Sequence, residues 1–255
     1  MAIRVDFNCD MGEGFGALRL GNDEAIIPYV SSVNIACGFH AGDPVIMKRT
    51  VGLAEKAGVA IGAHPSFPDL QGFGRRDMQL TPEEIATDTI YQIGALTAFT
   101  RNKKLQHVKA HGALYNMCVA NEKLARAFAE GVRQADPNLI LVGLAGSVWL
   151  QAGKDAGLKV AAEVFADRAV NPDGTLVPRS QPGSVVHNEN EVINRALRIV
   201  TEGKVTAING QEISVRGDTI CLHGDTPGAA EIAKRLFEAF KAAGVEIAPM
   251  GSFIS

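Results

Sequence analysis

Cysteine is scarce in this chain and unpaired in its spacing. Cys9, Cys37, Cys118 and Cys221 lie far apart, with no C-x-x-C pair and no zinc-finger spacing, which excludes a disulfide framework and points to a reduced, cytoplasmic setting. No stretch reaches the roughly 18 uninterrupted apolar residues of a membrane span. The first residues, MAIRVDFNCD, meet polar and acidic groups by the sixth position and lack the apolar core of a secretory signal, so the chain is expected to be neither exported nor embedded in a membrane. Runs of like charge are missing too. With 25 basic against 28 acidic residues and a formal net charge of −3, neither nucleic acid nor a membrane surface is indicated as a partner. Two nucleotide signatures are also absent. The Gly12-Glu13-Gly14-Phe15-Gly16 stretch has the wrong spacing for a dinucleotide fingerprint. The closest match to a phosphate loop, GSVWLQAGKD from Gly146, has six residues between its glycines and no Ser or Thr after Lys154.

What is present is a chain of 255 residues, 46% hydrophobic and 21% charged, long enough to bury a full core unaided. Strand and helix patterns alternate along it. Strands are expected at Ile3 to Cys9, SVNIAC, VAIGAH, HVKAH, LILVGLA, LKVAAEVF and DTICLHGD, with VEIAPM as a final short one. Between them lie helical patterns. Asp43 and Pro44 open one that Gly58 closes, and TPEE from Thr81 begins another that runs to about Asn102. Further helices are read in NEKLARAFAEGVRQA, SVWLQAGKDAG, NEVINRALRIVTEG and TPGAAEIAKRLFEAFKAAG, with a hairpin turning at Asn209-Gly210. The fold class is therefore α/β: a single (β/α) barrel-like domain over residues 1–255, with seven or eight parallel strands, complete or as an incomplete TIM-type barrel. An open doubly wound sheet is the second possibility, since local pattern does not say whether the first and last strands meet.

The residues at the carboxyl ends of the strands carry the chemistry, because a parallel barrel builds its site there. Asn8, Asp10 and Glu13 end the first strand. Asn34, His40 and Asp43 belong to the second, His64 to the third, and Lys109 and His111 to the fourth. Glu163, Asp167 and Arg168 follow from the sixth, and His223 and Asp225 from the seventh. Four of the six histidines stand at or just after strand ends and none on a long helix; only His107 and His187 fall elsewhere. Any one of them taken alone reads more readily as a structural histidine, and their shared position is what singles them out. Asp43 and Asp225 also read as helix caps, Asp167-Arg168 as a surface ion pair, and Cys9, Cys37 and Cys221 as buried packing rather than thiol nucleophiles. Asp and His at several strand ends also suit a divalent metal, although no H-x-x-x-H or H-E-x-x-H pair exists to nucleate one.

Taken together, DFNCDMGEGFG, VNIACGFHAGDP, IGAHPSFPDLQGFGRR, VKAHGALYN, EVFADR and ICLHGDTP resemble the LamB/YcsF family, and these six stretches in order span residues 6–227. Two departures stand out: Ala110 where the family pattern has proline, bearing on how His111 is presented, and Val170 where a tyrosine commonly follows ADR. The resemblance implies a barrel-like fold and ATP-dependent opening of 5-oxo-L-proline to L-glutamate, as a cyclic amide hydrolase working with two partner proteins, subunits B and C of 5-oxoprolinase. A five-membered lactam recloses readily because its amine and acyl group are held together, so coupling to ATP makes chemical sense. On this reading Asp10, His40, His64 and His111 are catalytic. Asn8, Glu13, Asn34, Asp43, Lys109, Glu163, Arg168, Arg179 and His223 bind substrate, with Lys109, His111, Arg168 and Arg179 holding anionic oxygens. ATP would bind at the strand ends or with the partner proteins, and a divalent metal remains open. Two alternatives from other classes are a stand-alone metal-dependent amide or sugar deacetylase and a noncatalytic component that only delivers substrate.

Overall fold

The computed structural model describes residues 3–224 and 228–254; Asp225 lies outside the described residues. Seven parallel strands close into a barrel: β1 (Arg4–Met11), β2 (Ser32–Ala36), β3 (Ala60–His64), β4 (His107–Lys109), β5 (Ile140–Leu144), β6 (Lys159–Phe165) and β9 (Thr219–Leu222). Closure is made by β9 pairing in parallel with β1, Asp6 opposite Thr219 through Cys9 opposite Leu222, which excludes the open sheet. An extra strand, β10 (Glu246–Ile247), pairs in parallel with Arg4 and Val5 at the start of β1. The antiparallel hairpin β7 (Lys204–Thr206) and β8 (Glu212–Ser214) stands apart from the barrel.

The helices are α1 (Asp23–Ile26), α2 (Pro44–Ala57), α3 (Pro82–Thr97), α4 (Gly112–Ala120), α5 (Glu122–Ala135), α6 (Val148–Asp155), α7 (Glu189–Glu202) and α8 (Ala229–Ala242). Their ends follow local chemistry. Asp43 caps α2 by accepting from the amides of Val45 and Ile46, and Gly58 closes it at a φ of 70°. Thr81 and Glu84 form a reciprocal capping box on α3. That helix ends at Thr97, short of the expected Asn102, where Ala98 to Lys103 turns back through bonds such as Phe99 N to Leu96 O. The fourth strand also stops early, at Lys109, because Ala110 and His111 lead directly into α4, a helix not expected from the sequence. No helix among the described residues is long and apolar enough to cross a membrane.

Both faces of the barrel strands are buried, and the two faces are of different kinds. Val5, Phe7, Cys9 and Met11 of β1 join the apolar layer beneath the helices, where the Phe7 ring meets Phe240 of α8 edge to face. The alternate residues, Asp6, Asn8 and Asp10, are also buried, so strand alternation puts them on the opposite, interior side. β2 contributes Ser32 and Asn34 in the same way, β4 His107 and Lys109, β6 Glu163, and β9 Thr219 and Cys221. Ile140, Val142, Ala161 and Met250 form a separate small apolar cluster. Gly62 of β3 is required by this interior: a Cβ there would collide with the His107 imidazole.

At the amino-terminal end of β1, Asp6 accepts from the hydroxyls of Ser31, Ser32 and Thr219 and from the Met250 amide. Burial nevertheless raises its pKa from 3.8 to about 6. A carboxyl whose folded pKa is raised contributes most below its unfolded value and loses that contribution as pH rises. Relative to Asp6→Asn, the wild-type chain is therefore expected to lose roughly 2 kcal/mol of stability between pH 4 and 7, from the shift of 3.8 to about 6. Urea unfolding at both pH values checks this; a difference independent of pH contradicts it.

Candidate active site

Polar side chains fill the barrel and rise to its mouth as one connected network. Thr219 Oγ1 donates to Asp6 and receives Asn8 Nδ2 at 2.6 Å. Asn34 Nδ2 bonds Asn8 Oδ1 at 2.7 Å and Asp10 Oδ1 at 2.9 Å, while His107 Nε2 donates to Asn34 Oδ1 at 2.8 Å. The Lys109 ammonium stands in the middle. Its Nζ lies 2.8 Å from Asp10 Oδ1, 3.1 Å from Glu163 Oε1, 3.1 Å from Cys221 Sγ and 3.3 Å from Asn8 Oδ1. Burial disfavours its charge, but the Asp10 and Glu163 carboxylates outweigh that and hold its pKa well above the ordinary value. Asp10, for which burial works the other way, is held well below its ordinary value by His64 and Lys109.

Three imidazoles and a carboxylate close the upper end. His64 Nδ1 donates to the Lys109 carbonyl at 2.8 Å, and His111 Nε2 to the Phe73 carbonyl at 2.9 Å. Each ring thereby has one N–H committed to a backbone carbonyl, and the remaining nitrogens, His64 Nε2 and His111 Nδ1, face each other at 3.0 Å. Glu13 Oε1 is 3.2 Å from His111 Nδ1 and Asp10 Oδ2 is 3.4 Å from His64 Nε2. His40 stacks on His111 with ring centroids 3.8 Å apart and 6° between planes, and its Nε2 reaches the same Glu13 oxygen at 3.2 Å. Its Nδ1 is buried without a partner among the described residues. Burial and the nearby His111 lower the His40 pKa to about 3, and burial also lowers that of His111. Glu13, buried among these rings, is kept ionised by its bonds to His111 and His40.

The 65–80 segment supports this group. Phe73 takes a φ of 55° and Gly74 one of 65°; a Cβ on Gly74 would run into Ser66, His111 and His40. His111 is further anchored by its amide, which donates to Pro65 O at 2.8 Å with Ala110 buried beside it. Glu13, His40, His64 and His111 offer ligand atoms all within 4.8 Å of one another, a buried cluster able to hold a metal ion.

A cleft of about 390 Å³ opens above the network. Asp10, Glu13, His64, Lys109 and His111 line one side, and Arg75, Arg168, Arg179 and His223 approach from the loops. The Arg168 guanidinium is 4% exposed and donates to the carbonyls of Ser184 and Val177, with burial and then Arg179 lowering its pKa to about 10. Asp167 does not pair with it. Instead both Asp167 oxygens lie within 3.0 Å of His223 Nδ1, so the surface ion pair expected from the Asp167-Arg168 dipeptide is replaced by a buried carboxylate and imidazole.

Several residues singled out from sequence sit elsewhere. Asn8, Asn34 and Glu163 lie in the barrel interior beneath the cleft, and His40 lies behind His111. Asp43 spends one oxygen on its helix cap and the other on the Gly16 amide, on a groove beyond the cleft. Asp225 lies outside the described residues. All four cysteines are buried, and burial raises each thiol pKa, Cys37 to about 12, so none is a ready thiolate. His107, Thr219, Phe73 and Arg75 belong to the site or its support without having been singled out from sequence; the GFGRR segment was the available signal for the last two.

A closed parallel barrel with imidazoles, carboxylates and a buried lysine at its carboxyl mouth belongs to the class of (β/α)-barrel proteins with a polar, enzyme-like site. Residues 5–255 match the LamB/YcsF family, and the chain belongs to that family. It is 53% identical over 254 residues to the 5-oxoprolinase A-subunit of Pyrococcus abyssi, covering 99% of this chain and 100% of that one. Identity to the protein of the same name from Syntrophobacter fumaroxidans is 51% over 252 residues, covering 98% and 100%. Among solved structures, the lactam utilization protein from Thermus thermophilus matches with a TM-score of 0.91 at 50% identity, over 96% of this chain and 99% of that one. A protein from Enterococcus faecalis described as a putative cellobiose-phosphate cleavage protein shares the fold, at a TM-score of 0.62 and 16% identity over the whole of both chains.

The network makes Lys109 its most sensitive member. Lys109→Met leaves Asp10 and Glu163 buried without their counter-ion and is expected to destabilise the fold by roughly 3–5 kcal/mol. Chemical denaturation measures the loss, and a change within ~1 kcal/mol contradicts this account of the barrel interior.

Proposed function

We propose that this chain carries the lactam-opening site of an ATP-dependent 5-oxoprolinase and works in the cytoplasm with subunits B and C. The observation that carries the reading is the two-sided cleft. Carboxylates and imidazoles able to orient water and move protons face guanidinium groups able to hold a carboxylate, at the size of a small cyclic amide. The relatives named for 5-oxoprolinase and the lactam utilization protein, each matched over nearly the whole length, supply the substrate class.

Within this reading Arg168, with Arg179 and Arg75 lining the same cleft, receives the substrate carboxylate. Asp10, kept ionised, orients the attacking water, and Lys109 fixes Asp10 in place. The chain has no phosphate loop, so the nucleotide is handled with the partner proteins, where phosphorylation of the amide oxygen makes the lactam electrophilic.

His64 Nε2, His111 Nδ1 and Glu13 hold a divalent first-row cation. The support is geometric: the three ligand atoms lie within 4.8 Å of one another, with the two ring nitrogens 3.0 Å apart and His111 Nδ1 3.2 Å from the Glu13 oxygen, close to the tetrahedron edge of about 3.3 Å implied by metal–ligand bonds of 2.0–2.1 Å. Both rings donate their far N–H to a backbone carbonyl, as metal-binding imidazoles do. His40 is not one of the ligands, because in-plane lone pairs of rings stacked 3.8 Å apart cannot converge on one ion. When bound, such a cation would supply Lewis-acid polarisation at the mouth.

Two measurements test the reading. Glutamate release from 5-oxo-L-proline, with ATP and divalent metal, is expected from the mixture of this chain with subunits B and C and from no component alone. His111→Ala is expected to abolish it without unfolding the chain. Turnover of an acetylated amide or sugar without ATP would favour the deacetylase instead. Intact turnover with His111→Ala would contradict this assignment. In parallel, chain stripped with chelator is expected to bind about one Co²⁺ with visible absorption, and His64→Ala to lose it; no difference between the two removes the metal site.

A further inference from the structure

On the wall opposite the His64–His111 pair stands a second acid–base unit. His223 Nδ1 lies 3.0 and 2.9 Å from the two Asp167 oxygens, and the His223 amide approaches Oδ2 at 3.4 Å. The ring also stacks on Phe165, centroids 5.6 Å apart with 15° between planes. Carboxylate, backbone and aromatic face fix the imidazole with Nδ1–H on Asp167 and Nε2 left without a hydrogen-bond partner among the described residues. The ring is part of the cleft lining, together with Asp10, Arg168 and Arg179, and its side chain is 13% exposed, so the cleft can return a proton to it. Burial works against the Asp167 charge, but His223, Arg179 and Arg168 hold its carboxyl below the ordinary value.

We infer that His223, held by Asp167, is the acid that protonates the ring nitrogen and thereby decides which bond of the tetrahedral adduct breaks. The inference rests on the lactam-opening reading. A phosphorylated lactam is a cyclic imidate; when water adds to its carbon, the C=N π pair moves to nitrogen. One carbon then carries a hydroxyl, a phosphoryl oxygen and the ring nitrogen. If the bond to the phosphoryl oxygen breaks, phosphate leaves with the electron pair and the lactam is restored, so one nucleoside triphosphate is hydrolysed with no product. If the C–N bond breaks, its pair stays on nitrogen, the hydroxyl loses its proton to become the new carbonyl, and an acyl phosphate results. A second water hydrolyses that to carboxylate and phosphate.

Phosphate departs unaided, whereas an amide nitrogen departs only once protonated. A proton passed from His223 Nε2 to the nitrogen therefore favours opening, leaving a neutral imidazole that is recharged from the open cleft. Placing the acid across from the His64–His111 pair keeps water attack and nitrogen departure on opposite sides of the bound ring.

The test compares two products in the same reaction: phosphate and glutamate released by this chain with subunits B and C, ATP, divalent metal and 5-oxo-L-proline. Wild type is expected to release them near one to one. His223→Asn keeps an N–H for Asp167 but has no proton to give; its glutamate release is expected to fall about 100-fold while phosphate falls much less, raising the ratio above ~10. Asp167→Asn, which leaves the imidazole in place, is expected to move the ratio the same way by a smaller factor, and it stands in should His223→Asn not fold. A structural or binding role would lower both products together. Ratios that stay near one in both variants, with the wild type active, overturn the inference alone. A wild-type mixture releasing neither product overturns it together with the lactam-opening reading.

Discussion

The buried ammonium of Lys109 is the constraint around which this barrel is arranged. Its Nζ sits within 3.3 Å of Asp10, Glu163, Cys221 and Asn8, side chains from three other strands. An unpaired charge at that depth would cost several kcal/mol, so the strands that surround it supply acceptors rather than aliphatic groups. From that requirement follow the asparagines that join Asp10 to Thr219, the neutral His107 wedged against Gly62, and the polar run down to Asp6. Most barrels of this kind fill the interior with branched aliphatic residues. Here the apolar packing lies chiefly outside the strands, under the helices.

The same network sets what the mouth can do. Lys109 fixes Asp10 through its ammonium and His64 through its carbonyl, so one residue orients both a carboxylate and an imidazole. His111 is set by Phe73 and Pro65, carbonyls of the loop after β3, and Gly74 gives that loop its close approach. The cleft lining thus draws on β1, β3 and β4 with the loop that carries Arg75, and on β6 and β9 with the loop that carries Arg168 and Arg179.

Much of this was legible in the sequence, for identifiable reasons. Strand and helix alternation gave the barrel, and the caps at Asp43 and Thr81 stand where their chemistry requires. His64, His111 and Asp10 converge because strand ends in a parallel barrel converge. The misses share a cause as well. Asp6 alternates with apolar residues, a pattern that ordinarily means one wet face; only closure of the barrel turns that face inward. Asp167 and Arg168 are neighbours in sequence, yet β9 brings His223 to the carboxylate and leaves the guanidinium to backbone carbonyls. Helix α4 was hidden because GALYNMCVA is apolar on every side, with no amphipathic period to read.

The central claim is that the chemistry of lactam opening is done by this chain. The most direct test varies nothing else: glutamate formation from 5-oxo-L-proline by complete mixtures with ATP, in which only this chain carries Asp10→Asn. The account expects glutamate release to fall by about two orders of magnitude or more, with lactam binding retained. Turnover at the wild-type rate, in a variant that is folded and assembled, would place the chemistry on a partner protein instead and contradict the account.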